Sequence, residues 1–142
     1  MSSWVIDSSI GFSWVYPNQS TDATIELLKS VEAGSVIIVP SLWFIEIANG
    51  LLVLQRRKKL IADERHKALQ VLSNLNLTVD EQPGRSVFAE TSQLAERYEL
   101  TIYDATYLEL ALRRNIPLAS RDKTLIAAAN RAGAKLRSDL NI

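Results

Sequence analysis

An α/β fold built on a parallel sheet is what this sequence predicts, and three observations carry the prediction. Short apolar, β-branched runs recur along the chain, each is followed by text with helical periodicity, and the first two runs stop abruptly at Asp7 and at Pro40. Trp4-Val5-Ile6 and Val36-Ile37-Ile38-Val39 are apolar at consecutive positions, the pattern of strands covered on both faces. Thr21 to Ala33 repeats apolar residues at helical spacing and stops at Gly34. Leu42 to Leu54 is a long apolar helix that breaks into Arg56-Arg57-Lys58-Lys59. Asp63 to Leu75 reads as an amphipathic helix, Leu77-Thr78-Val79 as a brief strand, and Ser86 to Tyr98 as a helix after a Pro83-Gly84 break. Asp104 to Arg114 follows as a helix with Ala105, Leu108 and Leu112 on one side. Ile116 to Ala119 is then a strand, Lys123 to Ala132 a helix closed by Gly133, and Lys135-Leu136 a last short strand. Strands separated by helices of this length require right-handed crossovers, hence helices on both faces of the sheet.

Composition bounds the function. The chain has 142 residues, 47% of them hydrophobic, enough for one continuous core and a single domain over 1–142. It has no cysteine, which excludes disulfides, thiolate zinc sites and cysteine nucleophiles, so any metal must be bound by oxygen. Met1-Ser2-Ser3-Trp4 has no basic n-region and no apolar run approaches membrane-spanning length, so a soluble, cytoplasmic protein is expected. The 16 basic and 16 acidic residues cancel, and global charge gives nucleic-acid binding no support.

Local charge is more informative. In open parallel sheets ligands bind beyond the carboxyl ends of the strands. Asp7 follows the first strand, Asp122 follows the Ile116 to Ala119 strand by two residues, and Asp104 opens a helix at the same level. Glu46 stands inside Leu42-Trp43-Phe44-Ile45-Glu46-Ile47-Ala48, otherwise a core-helix sequence, where an unpaired carboxylate would cost several kcal/mol. Taken singly, each aspartate could be a helix N-cap and Glu46 could snorkel or pair with an arginine. Capping accounts for none of Glu46, whereas Mg²⁺ or Mn²⁺, which prefer oxygen ligands, would let all four ionise together.

At these residues the chain resembles the PIN-domain nucleases, specifically the VapC-type toxins of bacterial and archaeal toxin–antitoxin pairs. The resemblance runs nearly end to end. Its segments are Val5-Ile6-Asp7-Ser8-Ser9, then Pro40-Ser41-Leu42-Trp43-Phe44-Ile45-Glu46-Ile47-Ala48-Asn49, then Tyr103 to Ala111, then Pro117-Leu118-Ala119-Ser120-Arg121-Asp122. It implies a PIN-like three-layer fold with five parallel strands in the order 3-2-1-4-5. It further implies Mg²⁺ or Mn²⁺ held by Asp7, Glu46, Asp104 and Asp122, endonucleolytic cleavage of RNA to a 5′-phosphate and a 3′-hydroxyl, and inhibition by a cognate antitoxin. Ser9 and Ser120 fall where that family places hydroxyls near the metal or its waters.

His66 is the only histidine, which rules out a two-histidine acid/base mechanism, and its neighbours Glu64, Arg65 and Lys67 mark a solvated face. The catalytic burden then falls on metal. Arg121, beside Asp122, is a better candidate for touching substrate than the run Arg56 to Lys59, with pairing to an acid as the equal alternative. Arg56 to Lys59 reads as a solvated helix end, with phosphate contact as the alternative. Phe12, Trp14, Tyr16, Trp43 and Phe44 read mainly as core, with a share in a homodimer or antitoxin surface. A receiver-like signalling module is disfavoured because serines, not a second acid, follow Asp7. A haloacid-type phosphatase is disfavoured because position 9 of Asp-x-Asp is Ser9. A non-catalytic PIN-like module that holds RNA or a partner is the alternative to the nuclease.

Overall fold

The computed structural model describes residues 2–82 and 84–137. Four parallel strands, β1 (Ser3–Ile6), β2 (Val36–Pro40), β3 (Leu77–Asp80) and β4 (Leu118–Ala119), form one sheet in the order β3-β2-β1-β4. The helices are α1 (Ser8–Val15), α2 (Asp22–Glu32), α3 (Leu42–Arg56), α4 (Ala62–Ser73), α5 (Glu90–Tyr98), α6 (Ile102–Arg114) and α7 (Lys123–Arg131). Adjacent residues of the central strands, Val5 and Ile6 in β1 and Ile37, Ile38 and Val39 in β2, are all buried. Since successive side chains point to opposite faces, both faces are covered, as the unbroken apolar runs predict. On one side α1, α3 and α4 pack together; α6, flanked by α5 and α7, packs against β1 and β2.

Among the described residues the sheet has four strands, not the five expected. Lys135-Leu136 contributes a single parallel bridge, Leu136 to Leu118, on the outer side of β4. The Leu118 amide donates to Lys135 O and its carbonyl accepts from Arg137 N, the last pairing among the described residues. Pro117, with no N–H to give, precedes Leu118, which also shortens the expected Ile116 to Ala119 strand to two residues.

Three helix boundaries also differ. A helix absent from the element-by-element reading, α1, starts directly after Asp7. Ser86 to Tyr98 divides into a 3-10 turn, Gly84–Phe88, in which no residue is fully buried and Phe88 is 89% exposed, and α5, which buries Thr91 and Ala95. Pro83 lies outside the described residues. Finally, α6 begins at Ile102 with Thr101 as its cap, the Thr101 side chain accepting from Asp104 N at 3.1 Å. Asp104 therefore sits inside the first turn and does not open the helix.

Two glycines let α1 and α3 approach. A Cβ on Gly11 would lie 2.6 Å from Ile47 Cδ1, and one on Gly50 would lie 2.1 Å from Phe12 Cζ. The contact holds α3, and so Glu46, against the end of β1. Trp43 completes it, its indole Nε1 donating to the Asp7 carbonyl at 3.1 Å.

At the far edge, buried Asp80 ends β3 and receives Arg113 Nη2 at 2.5 Å and Arg114 Nη2 at 2.7 Å, while Arg113 also bonds Glu109 at 2.7 Å. Burial pushes the Asp80 carboxyl up, but the two arginines outweigh it and hold the group below its ordinary value. A carboxyl whose folded pKa is lowered adds stability above its unfolded value and loses it as pH falls through the folded one. Asp80→Asn is expected to cost about 2 kcal/mol at pH 7, less than a fully buried pair because the arginines are partly solvated. Urea unfolding should show that deficit shrinking steadily as pH falls below the ordinary carboxyl value toward the folded one; a deficit independent of pH would mean the ion pairs are not its source.

Candidate functional site

The site begins with Asp7. As the residue after β1 it is drawn under the helices and is 4% exposed. It occupies the N-cap position of α1 yet makes no side-chain cap bond. Its two oxygens face two hydroxyls: Ser9 Oγ donates to Oδ1 at 2.5 Å and Ser120 Oγ to Oδ2 at 2.6 Å. Each serine in turn accepts from the loop after β4, Ser9 from Arg121 N and Ser120 from Asp122 N, both at 2.9 Å. Segments more than a hundred residues apart are thus clipped together around one carboxylate. Burial raises Asp7 to about 6, against the lowering effect of Ser120, Ser9 and the Ile10 amide, and the negative charge of Asp104 adds to the rise.

Asp104 projects from the first turn of α6. It too is raised to about 6, by partial burial first and then by the charges of Asp122 and Glu46. No hydrogen bond or ion pair among the described residues reaches its carboxylate. Glu46, in the second turn of α3, is only partly buried, which corrects the expectation of a core helix; Phe44 and Ile45 beside it are 42% and 65% exposed. Glu46 Oε1 accepts from Tyr107 Oη at 2.5 Å. Burial, the bond to Glu46 and the surrounding negative charges push the Tyr107 hydroxyl far up, so it remains a donor. Asp122 is the N-cap of α7, Oδ1 accepting from Thr124 N at 2.9 Å and Leu125 N at 3.1 Å. Capping therefore accounts for one oxygen of Asp122 and for neither Asp7 nor Asp104.

The family model of the PIN domain matches residues 4–131. The chain belongs to the PIN domain family. Among solved structures it is similar to PAE2754 from Pyrobaculum aerophilum (24% identity over 98% of this chain and 93% of that one, TM-score 0.70). It is also similar to FitAcB from Neisseria gonorrhoeae (14% identity, 98% and 99%, TM-score 0.67). A third likeness is to VapBC2 from Rickettsia felis bound to a DNA fragment from their promoter (16% identity, 95% and 97%, TM-score 0.67). At such identities these likenesses are of fold. A comparison with curated protein sequences finds no match.

PIN domains are generally nucleases that use divalent metal, and the donor set of this PIN domain suits such an ion in its chemistry. All four acids offer oxygen, none forms an ion pair among the described residues, and the charges of Asp122 and Glu46 raise Asp104 as that of Asp104 raises Asp7, the direction that unrelieved like charge dictates. In position the set is looser: among the described residues no three acids or histidines are gathered closely enough to hold a metal ion. Both oxygens of Asp7 face serines, one of Glu46 faces Tyr107, and one of Asp122 faces α7.

The other expected residues are distributed as follows. Ser9 and Ser120 direct their protons at Asp7. Arg121 donates from Nη1 to the Gln19 carbonyl, and its Nε is buried without a partner. His66 and Arg56 to Lys59 are exposed and stand on α4 and at the end of α3, apart from the acids. Sequence reasoning missed the roles of Tyr107 and of the Trp43 indole. Spacing held the signal, since each lies three residues from an acid, Tyr107 after Asp104 and Trp43 before Glu46, and so shares its helix face.

Proposed function

We propose that residues 1–142 act as one PIN domain that cleaves RNA phosphodiester bonds with Mg²⁺ or Mn²⁺, as the toxin of a toxin–antitoxin pair in the cytoplasm. The observation that carries this reading is that Asp7 and Asp104 are both pushed up to about 6, by burial first and then by neighbouring carboxylates, while no basic side chain among the described residues pairs with them, Glu46 or Asp122. The ion would be held by Asp7, Glu46, Asp104 and Asp122. When bound, it supplies an acidified water and neutralises non-bridging phosphate oxygens. The chain's own residues do the rest. Ser9 and Ser120 keep Asp7 ionised and fixed, the cap bonds of α7 orient Asp122, and Arg121 offers Nη2 to substrate.

A protein partner is supported by an apolar groove of about 200 Å³ between α3 and α4, in which Phe44, Ala48 and Leu69 lie over the buried Ile47 and Leu72, a surface suited to an antitoxin or a second copy. FitAB is seen bound to the IR36 DNA fragment, and VapBC2 to promoter DNA. The same pairing of toxin with a DNA-binding antitoxin is proposed for this chain.

One observation favours the non-catalytic alternative: the acids do not already form a cage. Incubation of the purified protein with single-stranded RNA separates the two readings. Cleavage that requires Mg²⁺ or Mn²⁺, stops with EDTA and is lost in Asp104→Asn is the expected result. RNA retained but uncut at every metal concentration would establish the binding module.

A further inference from the structure

Tyr107 lies in α6 one turn beyond Asp104, within the core and only 1% exposed. A tyrosine placed there for packing alone would bury a hydroxyl at a cost that phenylalanine avoids, unless the hydroxyl has a partner. Its partner is neither backbone nor a neutral side chain. It is Glu46 Oε1, 2.5 Å away across the gap between α6 and α3, the length of a charge-assisted bond. Glu46 needs such a tie. Its side chain is half-buried and flexible, and no second hydrogen bond or ion pair among the described residues reaches it. Asp7 is fixed by two hydroxyls and Asp122 by two amides; Glu46 has the phenol alone.

We propose that Tyr107 is a positioning residue for Glu46: it fixes one carboxylate oxygen, keeps the glutamate facing the aspartates, and leaves Oε2 as the oxygen available to a cation. This rests on the metal-dependent reading above. Groups that hold metal ligands in place are worth 10–100-fold in affinity when removed. Tyr107→Phe keeps the ring in the core and deletes only the tie.

The test titrates metal-free protein with Mn²⁺ by calorimetry and measures melting in EDTA, for the parent, Tyr107→Phe, Glu46→Gln and the double variant. Tyr107→Phe is expected to weaken Mn²⁺ binding about 10–100-fold while melting in EDTA within a few degrees of the parent. Cleavage should fall at low Mn²⁺ and recover as Mn²⁺ is raised, a metal-dependent loss that a packing defect would not show. Glu46→Gln should weaken binding at least as much, and adding Tyr107→Phe to it should cost nothing further, because the phenol acts only through that carboxylate. Unchanged affinity in either single variant, or full additivity in the double variant, overturns the proposal. A parent that binds no Mn²⁺ overturns the metal reading itself, so the two failures are distinct.

Discussion

Asp7→Asn is expected to lower metal-dependent RNA cleavage at least about a hundred-fold and, in the absence of metal, to make the protein more stable. The two effects have one cause. Burial raises Asp7 to about 6, so at pH 8 the folded chain carries an ionised carboxylate that the fold disfavours. A rise of about two units above the usual carboxyl value corresponds to a penalty on the order of 2–3 kcal/mol, released when the carboxylate becomes a neutral amide. The serines reduce the gain, since Asn offers one acceptor where Asp7 offers two. Melting in EDTA at pH 8 should therefore rise by several degrees. At pH 4, where the native carboxyl is itself neutral, the difference should vanish. A variant that is inactive but less stable at pH 8 would mean Asp7 is a structural residue; one that cleaves at the parental rate would remove it from the site.

The second large effect is on the pH profile of stability, which metal should invert. Asp7 and Asp104 have folded values raised to about 6. Between the unfolded value and pH 6 the folded state thus binds more protons than the unfolded one, and metal-free stability falls as pH rises through that window. Below it, the loss of the Asp80 ion pairs acts in the opposite sense. A cation that binds only the folded, ionised cluster stabilises by mass action, about 2.7 kcal/mol at a hundred times its dissociation constant. For a chain of this length that is a shift of roughly 10 °C. The shift caused by millimolar Mn²⁺ should be small at pH 5 and reach its full size near pH 7.5, where no proton competes. Scanning fluorimetry with EDTA as the reference decides it: a shift of equal size at both pH values would place the ion away from Asp7 and Asp104.

Much of this arrangement is legible in single residues. The unbroken apolar runs Val5-Ile6 and Ile37-Ile38-Val39 identify strands buried on both faces, because a two-sided sheet leaves no position where a polar side chain can reach water. Asp7 after the first run and Asp122 after the Ile116 to Ala119 run are placed at the strand ends by chain order alone. The resemblance names the family that the match over residues 4–131 shows. Less legible were features that depend on distant partners. Asp104 as the start of a helix follows from local preference, yet Thr101 captures the cap because its hydroxyl reaches the Asp104 amide. The fifth strand fails for a similar reason. A two-residue β4 behind Pro117 offers Leu136 one residue to pair with, and pairing is a property of both chains, not of either sequence.

The sequence by itself determined which chemistry is available: oxygen ligands without cysteine, a single histidine on a solvated helix, and acids at the ends of parallel strands. Only the tertiary structure decided how those acids are held. It set Ser9 and Ser120 on the two oxygens of Asp7, Tyr107 on Glu46 and the amides of α7 on Asp122. A hydrogen bond depends on distance and direction between groups far apart in the chain, whereas composition and periodicity report only which groups exist and which face they occupy.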